Sequence, residues 1–223
     1  MQTLQQILAE IASGSTTAGI RRLQYLPYKM ETALRFIEAI GQKFEPSFRL
    51  NDNCIHVYKD LIRYVHGDPE FSGTLEKGIL LIGPTGTGKS LAMKIIQTYR
   101  TIDDTWYIKD GKPYRMNFDI YPVNEVISRF IESGFDGIEI FCKRYCACFD
   151  DIGSEIERVK HYGNDLDVIS HVLSERYARQ LLTFGTSNYR VSDIEDKYGD
   201  RTISRMYSLF NFITMKDIDY RKV

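Results

Sequence analysis

The sequence predicts an α/β fold in which a parallel sheet is flanked by helices. After residue 46, apolar segments of strand length alternate with amphipathic segments of helix length. One strand–helix junction carries a glycine-rich loop, a common feature of such sheets. With 223 residues, of which 43% are hydrophobic, the chain is long enough for one domain of this kind and a short appendage.

Residues 1–45 are predicted to form a helical N-terminal appendage, and residues 46–223 the main domain. Apolar residues recur at helical spacing twice in the appendage, and Gly41 is expected to end the second helix. Two short helices bury little surface alone, so their apolar stripes are expected to pack on another protein or, alternatively, on the main domain. The stripes are Leu4-Ile7-Leu8-Ile11 and Met30-Leu34-Ile37-Ile40.

The main domain begins with a predicted helix, and strands and helices alternate after it. The helix patterns have apolar residues three and four positions apart, and the strand patterns are short apolar runs. The predicted helices are 55–65, 90–100, 123–131 and 166–181, and the predicted strands are 79–82, 116–121, 145–149, 182–186 and 212–215.

Composition excludes several classes of protein. Lys and Arg number 29 and Asp and Glu 30, so the net charge of −1 excludes a polybasic protein. No apolar stretch is long enough to span a bilayer, and the first residues lack the pattern of a secretion signal, so we expect a cytoplasmic protein without membrane contact. The cysteines lack a C-x2-C pair, which favours reduced thiols over a zinc site.

A glycine-rich loop between a predicted strand and a predicted helix is the clearest functional signal. Residues 83–90 match the phosphate-loop pattern G-x4-G-K-[ST] completely. Backbone N–H groups of such a loop surround phosphate oxygens, the lysine supplies positive charge, and the serine hydroxyl can bind Mg²⁺. We therefore expect ATP and Mg²⁺ to bind here, with the Lys89 side chain exposed. The expected binding residues are Gly83, Pro84, Thr85, Gly86, Thr87, Gly88, Lys89, Ser90 and Leu91.

An acidic pair at the end of a predicted strand is the candidate hydrolytic centre. Asp150 suits Mg²⁺ binding together with Ser90, and Asp151 can orient or deprotonate the attacking water. A simple turn at a strand end is the structural alternative. Asn188 follows the next predicted strand, where its amide would reach the terminal phosphate or its water.

Arg201 and Arg205 are four residues apart and share one face of a predicted helix. An arginine offered to the γ-phosphate of a neighbouring subunit would stabilise the charge of the transition state. The alternative is a solvated face that forms ion pairs with Asp200 and Glu195.

Taken together, these motifs resemble those of the AAA+ ATPases of the DnaC/IstB family, and the resemblance covers residues 46–223. It implies a P-loop NTPase sheet of order 5-1-4-3-2, ATP hydrolysis, an ATP-dependent homo-oligomer and binding of single-stranded DNA. Because little sequence follows residue 206, we do not expect a full helical lid domain. The motifs that carry the resemblance are the phosphate loop, Phe-Asp-Asp-Ile-Gly (149–153), Ser-Glu-Arg-Tyr (174–177), Gly-Thr-Ser-Asn (185–188), Asp-Arg-Thr-Ile-Ser-Arg-Met (200–206) and Asp-Tyr-Arg (219–221).

The resemblance also implies residue roles and partners. Asn188 would be the sensor residue, Arg205 the first candidate for an arginine that acts across the subunit interface, and Arg201 the second. Asp151 departs from the family, in which glutamate is frequent at this position. We expect a loader that places a replicative helicase on single-stranded DNA. The alternatives are an IstB-like helper that activates a transposase, and a nucleotide-dependent binding module with negligible turnover.

Overall fold

A central parallel sheet organises the part of the chain that the structure describes. The computed structural model describes residues 22–23, 25–102, 106–109, 112–155, 159–161 and 164–215. Its strands are Arg22–Leu23 (β1), Gly78–Ile82 (β2), Trp106–Lys109 (β3), Lys112–Arg115 (β4), Asp119–Pro122 (β5), Cys146–Asp150 (β6), Val159–His161 (β7), Asn164–Leu166 (β8), Leu182–Ser187 (β9) and Phe210–Thr214 (β10).

The central sheet has the order β10-β2-β9-β6-β5, and all neighbouring pairs are parallel. Counted along the chain within this sheet, the order is 5-1-4-3-2, which confirms the predicted fold class. The carboxyl ends of β2, β6 and β9 therefore lie side by side at one edge of the sheet, where ligands of such sheets bind.

Helices cover both faces of the sheet and enclose two hydrophobic cores. α1 to α3 contribute to one core and α4 to α6 to the other, and successive residues of β2 alternate between them. Since β2 is buried on both faces, it forms a continuous apolar run, which is the pattern that predicted it. The helices are Met30–Phe44 (α1), Ile55–Val65 (α2), Lys89–Ile102 (α3), Val123–Lys143 (α4), Val168–Ala178 (α5) and Val191–Leu209 (α6).

The first helix described continues through Gly41, so the predicted end at that glycine is wrong. A Cβ atom at Gly41 would lie 2.2 Å from the ring of Phe48, so the glycine permits a close contact within the fold. Ala33, Ile37 and Ile40 of α1 are buried in the core shared with α2 and α3. This packing favours the alternative in which the second apolar stripe covers the main domain. The stripe at residues 4–11 lies outside the described residues.

Several other predicted bounds differ from those in the structure. The strand expected at 116–121 begins only at Asp119, although Met116 before it is buried in the core. α4 continues well past residue 131 with a break at Gly134, whose φ is 61°. α5 begins after Asp167, whose carboxylate accepts a hydrogen bond from the Ser170 N–H at 3.0 Å. The short hairpins β3–β4 and β7–β8 were not predicted from the sequence.

Within the described ranges, no helix combines the length and apolar character that a membrane crossing needs.

All the cysteines are buried free thiols. Burial raises the pKa of the Cys142 thiol to about 11, so this thiol stays protonated at neutral pH.

Candidate nucleotide-binding and hydrolysis site

The glycine-rich loop joins the end of β2 to the start of α3, as the motif requires. Gly83, Gly86 and Gly88 have φ values of 147°, 89° and 85°, which side-chain-bearing residues adopt only with strain. A Cβ atom at Gly83 would lie 2.4 Å from the carbonyl oxygen of Met215, where the chain leaves β10. The loop is therefore shaped by its glycines and held against the end of a neighbouring strand.

The Lys89 side chain is only 4% exposed, so the expectation that it is exposed is wrong. Its ammonium donates hydrogen bonds of 2.7 Å to the carbonyl oxygens of both Gly83 and Pro84. The Thr87 hydroxyl also donates to the Pro84 carbonyl, at 3.0 Å. These bonds hold the lysine charge inside the loop and restrict the conformations of the long side chain.

The two predicted magnesium ligands lie in contact. The Ser90 hydroxyl at the start of α3 donates a hydrogen bond of 2.8 Å to Oδ1 of Asp150 at the end of β6. The Thr186 hydroxyl donates to the same oxygen at 2.6 Å from β9. Three elements thus converge on one carboxylate, and a hydroxyl beside a carboxylate is the type of oxygen ligand set that suits Mg²⁺.

The second carboxylate contacts the predicted sensor residue. Asn188 Nδ2 donates a hydrogen bond of 2.8 Å to Asp151 Oδ1. Asp151 has a φ of 66°, in the left-handed region, and its backbone N–H donates to Thr186 Oγ1 at 2.9 Å. Both acidic side chains are therefore fixed at the carboxyl edge of the sheet, next to the phosphate loop.

No protein-family model matches the sequence, and no curated protein matches it. Solved structures do match. The crystal structure of the DnaC helicase loader has a TM-score of 0.57 and 18% identity, and the match covers 77% of this chain and 95% of that one. The crystal structure of DnaI has the same TM-score of 0.57 with 20% identity, and the match covers 88% and 95%.

The chain has the fold of the DnaC-like AAA+ ATPases. The fold also extends to an AMPPCP-bound DnaA from Aquifex aeolicus, with a TM-score of 0.52 and 15% identity over 76% of this chain and 48% of that one. A DnaA structure bound to AMPPCP and single-stranded DNA matches with a TM-score of 0.51 and 14% identity, over 77% of this chain and 49% of that one.

The two arginines predicted to act across a subunit interface, Arg201 and Arg205, lie in the second part of α6. A break at Gly199, with a φ of 72°, separates this part from the first. Arg205 is half-buried and donates a hydrogen bond to the Ser174 hydroxyl of α5, whereas Arg201 is exposed. Among the described residues, neither arginine is hydrogen-bonded to the acidic pair or to the phosphate loop of its own chain. Ion pairs of these arginines with Asp200 and Glu195, which were the alternative predicted from the sequence, are likewise not formed among the described residues.

A buried carboxylate that was not predicted from the sequence links the turn after the acidic pair to α6. Glu155 is 5% exposed and accepts hydrogen bonds from the Gly153 N–H, at 2.8 Å, and from the Tyr198 hydroxyl. Burial, reinforced by this carboxylate, raises the pKa of Tyr198 far above its usual value. Lys197 donates to the Glu155 carbonyl at 2.8 Å. Since Glu155 lies in a polar loop, its sequence context carries no signal of burial.

Proposed function

We propose that this chain is an AAA+ ATPase that hydrolyses ATP at the phosphate loop. One observation carries the proposal: a hydroxyl, two carboxylates and an amide meet beside the loop, through the Ser90–Asp150 and Asn188–Asp151 hydrogen bonds. Structural relatives with AMPPCP bound, the DnaA proteins, support a nucleoside triphosphate as the ligand.

The phosphate loop binds the nucleotide. Backbone N–H groups from Gly86 to Leu91 surround the start of α3, where the helix dipole favours negative charge. Lys89, already held by the Gly83 and Pro84 carbonyls, places its charge against the β- and γ-phosphates. Ser90 and Asp150 would hold Mg²⁺, which when bound offsets the negative charge of the phosphates.

Asp151 orients the attacking water and accepts its proton. Its carboxylate keeps one oxygen on Asn188, so the side chain cannot rotate freely and the other oxygen is available to water. As the water oxygen attacks the γ-phosphorus, the bond from this phosphorus to the β–γ bridging oxygen breaks, and ADP leaves with that oxygen. Positioning by Asn188 therefore contributes to the rate by limiting the orientations of the base.

Hydrolysis in this proposal requires a second copy of the chain beside the first. Arg205, with Arg201 as the second candidate, would reach the γ-phosphate in the neighbouring subunit, so that hydrolysis depends on an ATP-dependent homo-oligomer. The match to the DnaC helicase loader over nearly its whole solved chain supports a helicase loader. The match to the replication initiator DnaA bound to single-stranded DNA supports action on single-stranded DNA in replication. The appendage or a surface of the main domain would contact the helicase.

Two measurements test this function. Phosphate release from ATP is followed with Mg²⁺ and single-stranded DNA for the wild-type chain and for Asp151→Asn. Co-elution with a hexameric replicative helicase is then compared in ATP and in ADP. Equal phosphate release by both proteins contradicts the hydrolytic assignment, and co-elution that is absent in both nucleotides contradicts the loader assignment.

A further inference from the structure

We propose that Thr186 is a positioning residue for hydrolysis, because its single hydroxyl group fixes both members of the acidic pair. This inference rests on the proposed ATPase function. Thr186 Oγ1 donates a hydrogen bond of 2.6 Å to Asp150 Oδ1 and accepts one of 2.9 Å from the Asp151 N–H. It therefore connects the proposed magnesium ligand to the proposed base.

The direction of both hydrogen bonds is dictated by chemistry. A backbone N–H only donates, so the Thr186 hydroxyl offers a lone pair to the Asp151 N–H and directs its one proton at the carboxylate oxygen of Asp150. The side chain is fully buried, at 0% exposed, so water does not compete for these positions. Buried polar networks of this kind are costly when one member is removed.

Thr186 also supports the unusual backbone of Asp151. Its carbonyl oxygen accepts a hydrogen bond of 2.8 Å from the Ile152 N–H, so two consecutive N–H groups of the turn bond to one residue of β9. A left-handed conformation outside glycine persists when the surrounding contacts determine it. The position of the Asp151 carboxylate therefore depends on Thr186, although no bond joins the two side chains.

The place of Thr186 in the sheet makes it rigid. It lies on β9, between β2 and β6 in the interior of the sheet, and pairs with Leu81 of β2. As a β-branched residue in a buried strand, it has few available rotamers. The Thr186 hydroxyl is therefore kept in one orientation, in contact with the acidic pair.

The test compares Thr186→Val, which keeps the shape and removes the hydroxyl, with Thr186→Ser, which keeps the hydroxyl. The matched control is Thr183→Val on the same strand. Thr183 is also fully buried, but its hydroxyl accepts from Arg176 Nε at 3.0 Å and donates to the Leu181 carbonyl, away from the acidic pair. If Thr186→Val does not fold, Thr186→Ala removes the same hydroxyl.

Thr186→Val is expected to lower kcat roughly tenfold and to raise the Mg²⁺ concentration for half-maximal turnover roughly tenfold, since the loss of an outer-sphere partner costs about 10- to 100-fold in metal affinity or activity. Thr186→Ser should recover most of the wild-type kcat and most of the wild-type Mg²⁺ dependence. Thr183→Val should lower Tm without changing the Mg²⁺ dependence. The proposal is overturned if Thr186→Val changes Tm alone, or if Thr186→Ser is as impaired as Thr186→Val.

A second readout separates this inference from the proposed function. The Mg²⁺ dependence of the Tm increase that AMPPCP produces requires no hydrolysis. If the wild-type chain shows no turnover, the ATPase assignment fails, yet Thr186→Val must still shift this Mg²⁺ dependence while Thr183→Val does not. An unshifted dependence overturns the role of Thr186 whatever the turnover.

Discussion

Asn188 at the end of β9 holds the carboxylate of Asp151 at the end of β6 through a hydrogen bond of 2.8 Å. The two residues are 37 positions apart, and parallel pairing of their strands brings them together. Asp150 is held in the same way by Ser90 and Thr186. Each acidic side chain thus has its own partners, which allows its role to be tested separately.

Asp151→Asn is expected to retain Mg-ATP binding and to slow hydrolysis at least about tenfold, which corresponds to about 1.4 kcal/mol of activation free energy. Asparagine accepts the left-handed backbone and has the same shape, but its amide cannot take the proton. ATP titration, phosphate release and thermal melting measure the three properties. Turnover equal to that of the wild type would place the water-activating group elsewhere.

Lys89→Ala is expected to remove most of the ATP affinity and also to lower Tm. The side chain is buried and hydrogen-bonded, so its loss leaves the Gly83 carbonyl without this donor and the Pro84 carbonyl with only the Thr87 hydroxyl, at a cost of about 1–3 kcal/mol. A fluorescent ATP analogue and a melting curve report the two effects. Lys94→Ala, an exposed position on the same helix, is the control and should change neither. Unchanged affinity in Lys89→Ala would contradict the phosphate-loop assignment.

Arg205→Ala is expected to bind ATP normally and to hydrolyse it poorly, and mixing it with Lys89→Ala protein should restore turnover. The first protein supplies a competent nucleotide site and the second an intact arginine, as an interaction across subunits requires. Arg201→Ala is tested in the same mixture. Activity that remains the sum of the single variants would assign Arg205 to its contact with Ser174 within one chain.

Tyr198→Phe is expected to lower the free energy of unfolding by about 1–3 kcal/mol, because it leaves the buried Glu155 carboxylate with fewer donors. The control is Tyr207→Phe, which removes an exposed hydroxyl that donates to Glu195 and should cost below about 0.5 kcal/mol. Urea denaturation measures both. Equal losses in the two variants would show that the burial of Glu155 has no energetic consequence.

Removal of residues 1–24 is expected to leave ATP binding intact, whereas removal of residues 1–45 should cause aggregation or a large fall in Tm. The longer deletion removes the buried Ile37 and Ile40 of α1 and exposes the core they cover. It also removes Tyr28, whose hydroxyl donates to Asp68 at 2.6 Å. A stable chain that begins at residue 46 would show that α1 is dispensable, as the division at residue 45 predicts.

The strands and the place of the phosphate loop were predictable from the residues, because apolar runs such as β2 and the loop glycines are local features of the sequence. The strand order followed only from the resemblance to the DnaC/IstB family. The burial of Lys89 and of Glu155 was not predictable. Lys89 is buried because the folded loop turns the Gly83 and Pro84 carbonyls toward its ammonium, and Glu155 because a distant residue, Tyr198, supplies a hydroxyl. Gly41 shows the same limit of sequence-based prediction. Glycine is used both to end helices and to allow close tertiary contacts, and only the position of the Phe48 ring shows that Gly41 serves the second purpose.

The left-handed backbone at Asp151 restricts the amino acids that the chain can use there. Glycine, asparagine and aspartate adopt this conformation with little strain, whereas the longer glutamate side chain gains nothing from local hydrogen bonds that would compensate it. Of the three, only aspartate has a carboxylate. Backbone shape and proton transfer together therefore favour aspartate at this position. A search pattern that requires glutamate directly after the magnesium-binding aspartate would miss proteins with this turn after the corresponding strand, although they have a carboxylate at the same position.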